Sequence, residues 1–222
     1  DVIGSANFGA GTARTLVITG IPALTGTANS IAGLGAGAAH TSGGNNAFFG
    51  YIAGASTTGG GNTFIGSYAG NDNILGTNNV YVGNSAGENA ISGYNTFIGG
   101  AAGRDAGSSG SDSVVVGYYS GLIINACCNV ILGAAAGQSI TTGVYNTILG
   151  WGANVSEGSI RNSIALGEGA YVQASNQMVI ANSLTSNEQI NDIFVNGVTA
   201  PIPKSFALNA AGGSGTNIAG AS

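Results

Sequence analysis

Charge is scarce in this chain: 222 residues carry four Lys or Arg, nine Asp or Glu and one His. So few cations leave no basic footprint for a nucleic-acid partner. Proline occurs three times, and the 41 glycines do not recur at every third position, which excludes a collagen-like helix. No apolar run approaches the roughly 18 residues of a membrane helix, so no membrane insertion by this chain is expected. Apolar residues nevertheless make up 44% of the sequence, too many for a disordered acidic tail. Cysteine is limited to the adjacent pair Cys127 and Cys128, without metal-ligand spacing. The pair reads as two small apolar residues near a core, or as a bond between chains of an oligomer.

What the chain has is a repeat. From residue 29 to 181 one short phrase recurs about ten times: Asn, any residue, two apolar residues, Gly, three residues, then a second Gly. It reads NAFFGYIAG from Asn46, NTFIGSYAG from Asn62, NVYVGNSAG from Asn79 and NTFIGGAAG from Asn95. It continues as SVVVGYYSG from Ser113, NVILGAAAG from Asn129 and NTILGWGAN from Asn146, with worn copies at Asn29 and Ser163. The first Gly falls at Gly33, Gly50, Gly66, Gly83, Gly99, Gly117, Gly133, Gly150 and Gly167, in steps of 16 to 18 residues. So steady a period marks a solenoid.

Each apolar run is three residues long and rich in Val, Ile, Phe and Thr, which predicts a short strand. Gly-x-x-x-Gly then predicts a turn, and Asn154, replacing the second Gly of its copy, fits that turn because Asn tolerates left-handed backbone. A second short strand is expected at Asn73–Leu75, Ala90–Ser92, Leu122–Asn125 and Ser139–Thr141. Two strands and two turns make one coil of a parallel β-roll or β-helix, and about ten coils stacked at about 4.8 Å give a rod on the order of 45 Å long. The recurrent Asn46, Asn62, Asn79, Asn95, Asn129 and Asn146 are expected to stack rung upon rung, bonded to the turn backbone. Residues 1–28 form an N-terminal adapter or degenerate coils, with a strand at Thr15–Gly20. Residues 29–181 are the solenoid, and 182–222 a C-terminal connector.

With the Asn or Ser numbered position zero, position three is always large and apolar, from Phe49 to Leu166. Positions one and three share a face, taken as the inside. Position two then points outward, yet holds Phe48, Phe64, Tyr81, Phe97, Val115, Ile131 and Ile148. A large apolar stripe on the outside of a rod marks a partner surface. Because it is the same on every copy, these residues are the expected seam of a parallel homotrimer.

NSIALGEGA, Asn162 to Ala170, resembles the head repeat of trimeric autotransporter adhesins, which implies a left-handed parallel β-roll with three chains to a rod. The NTFIGSYAG and NTILG copies look still more like repeats of bacteriophage tail fibres and related viral fibre proteins. The stretch from Ile193 to Ser222 is similar to fibre sequence leading to a receptor-binding tip or a trimerising chaperone. The likeness covers roughly residues 29 to 222. Aromatics at position two depart from the autotransporter pattern, which favours a small residue there. The resemblance implies the shaft of a trimeric virion tail fibre, extracellular, partnered by other fibre or baseplate proteins and by a host-surface glycan or protein. The alternatives are a bacterial surface adhesin head and a self-assembling extracellular filament.

No residues assemble into a catalytic pattern, and neither an enzyme nor a cofactor is expected. His40, in AAHTSGG, reads as a solvated loop residue. Arg104, Asp105 and Asp112, in GRDAGSSGSDS, read as a flexible turn, because the dense oxygen-ligand spacing of a calcium loop is missing. Asn71, Asp72, Asn73 and Glu168 read the same way. No Lys-Ser/Thr follows the Gly-rich turns, so they are not phosphate cradles. Tyr68, Tyr118, Tyr119 and Trp151 lie in turns, where exposed rings stack on sugars or cover a corner. An ice-binding face would need Thr outward at matching rungs, and position one, with its three Thr, is placed inside here.

Overall fold

The computed structural model describes residues 28–40, 42–107 and 110–180. The expected strand at Thr15–Gly20 and the connector from 182 onward lie outside the described residues. What is described is all-β: a parallel β-solenoid of about nine turns. Its strands are β1 (Ser30–Ala32), β2 (Ala47–Phe49), β3 (Thr63–Ile65), β4 (Val80–Val82), β5 (Thr96–Ile98) and β6 (Val114–Val116). They continue as β7 (Val130–Leu132), β8 (Thr147–Leu149), β9 (Asn154–Val155), β10 (Ile164–Leu166), β11 (Tyr171–Val172) and β12 (Met178–Ile180). Ten of them form one sheet in the order β1 to β8, β10, β12, while β9 and β11 pair separately. Every pairing is parallel and joins like positions, as in Phe48↔Phe64 and Phe64↔Tyr81.

The inside of the roll is the reverse of the sequence expectation. Phe48, Phe64, Tyr81, Phe97, Val115, Ile131 and Ile148 are all 0% exposed, so they form the core and not a subunit seam. Positions one and three face out. The cause lies at position zero. Asn62 Oδ1 accepts the backbone N–H of Asn79 at 3.0 Å, Asn79 Oδ1 that of Asn95 at 2.8 Å, and Asn129 Oδ1 that of Asn146 at 3.0 Å. In the other direction Asn62 Nδ2 donates to Gly76 O at 2.9 Å and Asn146 Nδ2 to Ile160 O at 2.7 Å. These amides are buried, and burial is tolerable because both ends are bonded. Inward Asn fixes position two inward by the two-residue strand period.

Core volume is shared between position two and position eleven of the same coil. Where position two is aromatic, position eleven is Thr57, Asn73, Ala90 or Ala106; where it shrinks to Val115 or Ile131, position eleven becomes Ile124 or Ile140. Ala at position seven (Ala53, Ala69, Ala86, Ala102) completes the filling. Phe48, Phe64, Tyr81 and Phe97 stack with centroids 4.8 to 5.1 Å apart and planes within 12°, an offset-stack distance set by the rung spacing.

Two glycines show why the turn needs them. Gly70, the second Gly of its coil, has φ +57°, and a Cβ there would lie 2.5 Å from Phe64 Cε2. Gly66, the first, has φ +134°, and its Cβ would strike the carbonyl of Gly83 on the next coil. The second strand forms only where that second Gly is missing. Asn154 and Tyr171 stand in its place and pair in β9 and β11, so Asn154 is a strand residue and not a turn residue. The strands expected at Asn73–Leu75, Ala90–Ser92, Leu122–Asn125 and Ser139–Thr141 are irregular or turning segments. Left-handed Gly at position eight turns the chain before it can extend.

Candidate interaction surfaces

With position two inside, the outer face of the ten-stranded sheet consists of positions one and three. Position one carries Thr63, Thr96 and Thr147 among Val, Ala and Ile; position three carries Phe49, Ile65, Ile98 and Leu149 among Val and Leu. Phe49, Ile65, Ile98 and Leu149 are exposed large hydrophobics. No residue of either column is charged, from Ser30 to Ile180. At about 4.8 Å per rung and 3.3 Å per residue the strip measures about 43 Å by 10 Å. Sequence reasoning missed this surface because it took position three, large and apolar in every copy from Phe49 to Leu166, for the inner one. The buried Asn at position zero was the available signal.

A second surface is the corner just after the strand. Positions five and six there carry Tyr51, Tyr68, Tyr118, Tyr119 and Trp151. Tyr68 is half-buried and meets Tyr51 edge-to-face at 5.4 Å. The neighbouring Tyr51 phenol, mainly by charge, raises the pKa of Tyr68. Tyr118 and Tyr119 meet edge-to-face at 4.4 Å, and Tyr118 and Trp151 are 63% and 62% exposed. Desolvation and then Tyr119 raise the Tyr118 pKa. Tyr51 was not singled out in the sequence, although it occupies the same coil position as Tyr118 and Trp151.

His40 belongs to the interior and not to a solvated loop. It fills position eleven at 2% exposure, its ring nitrogens 2.7 Å from the carbonyl oxygen of Thr57 and 2.6 Å from that of Gly43. Its ring also lies edge-on to Phe48, with centroids 5.7 Å apart. Asn73 is likewise a core residue. Arg104 pairs with Asp105 at 3.0 Å, and Asp105 also accepts from Asn89 Nδ2 at 2.6 Å, so this carboxylate is engaged locally. Among the described residues no group of three His, Cys, Asp or Glu side chains is placed to hold a metal ion.

Cys127 and Cys128, both half-buried, are bonded to each other, contrary to the reading of a bond between chains. The residue before position zero is left-handed even where it is not Gly or Asn, as at Tyr94 (φ 61°), Cys128 (φ 67°) and Tyr145 (φ 59°). Such a backbone costs a non-glycine residue about 1–2 kcal/mol.

Comparison of the chain with protein-family models, with curated proteins and with solved structures finds no match.

Proposed function

We propose that this chain is the shaft of an extracellular homotrimeric fibre of the phage or viral tail-fibre kind, carrying a receptor-binding tip for host attachment. The observation that carries the reading is the uncharged strip at positions one and three. It is on the order of 400 Å², the size of the largest apolar patch on an ordinary monomer, which is often a functional surface. Every copy of the chain has the same strip in the same register, so copies can cover one another rung for rung. A three-fold axis along the rod brings the three strips together at the centre. The homotrimer expected from the sequence is therefore kept, with its seam moved to this face. The bonded Cys127–Cys128 pair fits an oxidising, extracellular setting. Nothing in the role calls for an enzyme or a cofactor. Other fibre or baseplate proteins are the proposed partners at the ends. A bacterial trimeric adhesin head shares the same support and differs in its anchor.

The test is the mass of the chain in solution by light scattering, with Ile65→Glu and Ile98→Glu variants beside it. A trimer that becomes a folded monomer in the variants supports the seam. A wild-type monomer removes it, and a dimer keeps the face but not the three-fold axis.

A second reading gains from the corrected orientation: Thr63, Thr96 and Thr147 now lie on the flat outer face, where ice-binding surfaces present Thr. Thermal hysteresis shown by a wild-type monomer would select it over the fibre.

A further inference from the structure

The aromatic corner is not uniform along the rod. Tyr118 and Trp151 occupy position five two coils apart, and the coil between them has Ala134 and Ala135 at positions five and six. The rungs bearing the two rings are therefore about 10 Å apart. Small side chains floor the gap. On its other side Tyr118 leans over Gly100: a Cβ there would lie 3.2 Å from Tyr118 Cδ2. The Tyr118 ring thus lies towards the preceding coil and not over Ala134 and Ala135, which are half-buried. Tyr119 stands edge-on to Tyr118, and the exposed Gln138 amide donates to the Tyr119 carbonyl at 3.1 Å, so polar groups accompany the rings. Trp151 is the only tryptophan of the chain, and it is exposed.

Exposed rings accompanied by hydroxyls and a neighbouring amide offer an apolar plane and a polar margin together. That combination suits a pyranose, which has a C–H face and an equatorial rim of hydroxyls. Arg104, whose charge reaches Tyr119, is already paired with Asp105 at 3.0 Å and so is not a free counter-charge for an anionic ligand. We propose that Tyr118, Tyr119 and Trp151, with Ala134 and Ala135 between them, form a binding site for a neutral glycan, one sugar ring resting on Trp151 and another on Tyr118. The corner follows the Gly that ends each strand and lies beside the outer strip, not on it. The site deepens the attachment role proposed above and rests on it for its setting, while binding itself does not require the trimer.

The sole tryptophan makes the test direct. The purified full chain is applied to an array of neutral and anionic surface glycans, and any glycan retained is titrated while Trp151 fluorescence is followed. The expected result is retention of neutral glycans with a saturable fluorescence change. Tyr118→Ala and Trp151→Ala, the latter read on the array, should weaken binding about tenfold or more. Ala134→Tyr, which fills the gap, should abolish it, and Tyr51→Ala should leave it unchanged. Light scattering accompanies each variant. Loss of glycan retention at unchanged mass supports the site. An array that retains nothing, retention of anionic glycans only, or undiminished binding by Trp151→Ala overturns it and leaves the seam untouched. A fall in mass in Trp151→Ala also overturns it, because the corner would then be part of the seam.

Discussion

Phe64 and Tyr81, at the same position of adjacent coils, stack face to face with centroids 4.8 Å apart and planes inclined by 8°. Their rings fill the roll, so replacing either removes contacts on two coils at once. Phe64→Ala is expected to cost about 3–5 kcal/mol, as large core truncations do. Ile65→Ala, one residue on but facing out, should cost far less in a chain kept monomeric by Ile98→Glu. Denaturant midpoints of the two variants in that background check the difference. Equal losses would contradict the assignment of inner and outer faces.

Tyr81 is the one polar member of the stack, and its hydroxyl lies 3.4 Å from Asn73 Nδ2. Burial pushes its pKa well above the usual tyrosine value, partly offset by Asn95 and Asn73. The folded value is the higher one, so this contribution is whole below about pH 10, the unfolded value, and is lost as pH rises beyond it. Tyrosinate absorbance should show the exposed tyrosines ionising first and Tyr81 only with unfolding. Tyr81→Phe should remove that share of the alkaline instability. Early ionisation of all the tyrosines would place Tyr81 in solvent.

The Asn column can be probed by graded substitution. Asn79→Ala leaves the Asn95 N–H without its acceptor, at about 1–3 kcal/mol for a buried group left unpaired, while the Ser92 carbonyl keeps only the longer bond from Asn73 Nδ2 at 3.4 Å. Asn79→Ser should cost less, because Ser113 already fills this position and its Oγ accepts the Asn129 N–H at 3.2 Å. Thermal unfolding of the two variants gives the order. A neutral Asn79→Ala would show that the column is not needed.

The Cys127–Cys128 bond is internal to one chain. Without reductant the chain should migrate as a monomer on a denaturing gel, weigh two hydrogens less than the reduced form and show no free thiol. A covalent dimer under those conditions would restore the inter-chain bond as the alternative.

The period, nine of the ten strands of the main sheet and their parallel stacking are legible in the sequence, because a three-residue apolar run between Asn or Ser and Gly has few other conformations; β12, which follows Gln177, lacks that motif. The direction of those strands was misread. Phe49, Ile65 and Leu149 at position three look like core residues by size, but size does not choose a face when both faces are apolar. The buried amides of Asn62 and Asn79 choose it, through hydrogen bonds to the next coil that no single repeat reveals. The matching of Val115 with Ile124 and of Phe97 with Ala106 was also present in the sequence, readable once position two is known to face in. His40 reads as a solvated loop residue for a related reason: its loop-like neighbours hide that it falls at position eleven, inside the roll. The aromatic corner was partly visible through Tyr118, Tyr119 and Trp151. The gap at Ala134 emerges only when coils are laid over one another.

The most direct test of the account is cross-linking between copies of the chain, in a background with Cys127→Ser and Cys128→Ser. Single cysteines are placed at Ile98→Cys on the outer strip, at Phe97→Cys in the core and at Ile123→Cys, exposed on the wall opposite the strip beside the inward Ile124. A parallel seam at positions one and three brings Ile98 of each copy against itself, so Ile98→Cys should form covalent dimers under mild oxidation while the other two remain monomeric. Dimers from Ile123→Cys, or none from Ile98→Cys, would contradict the seam.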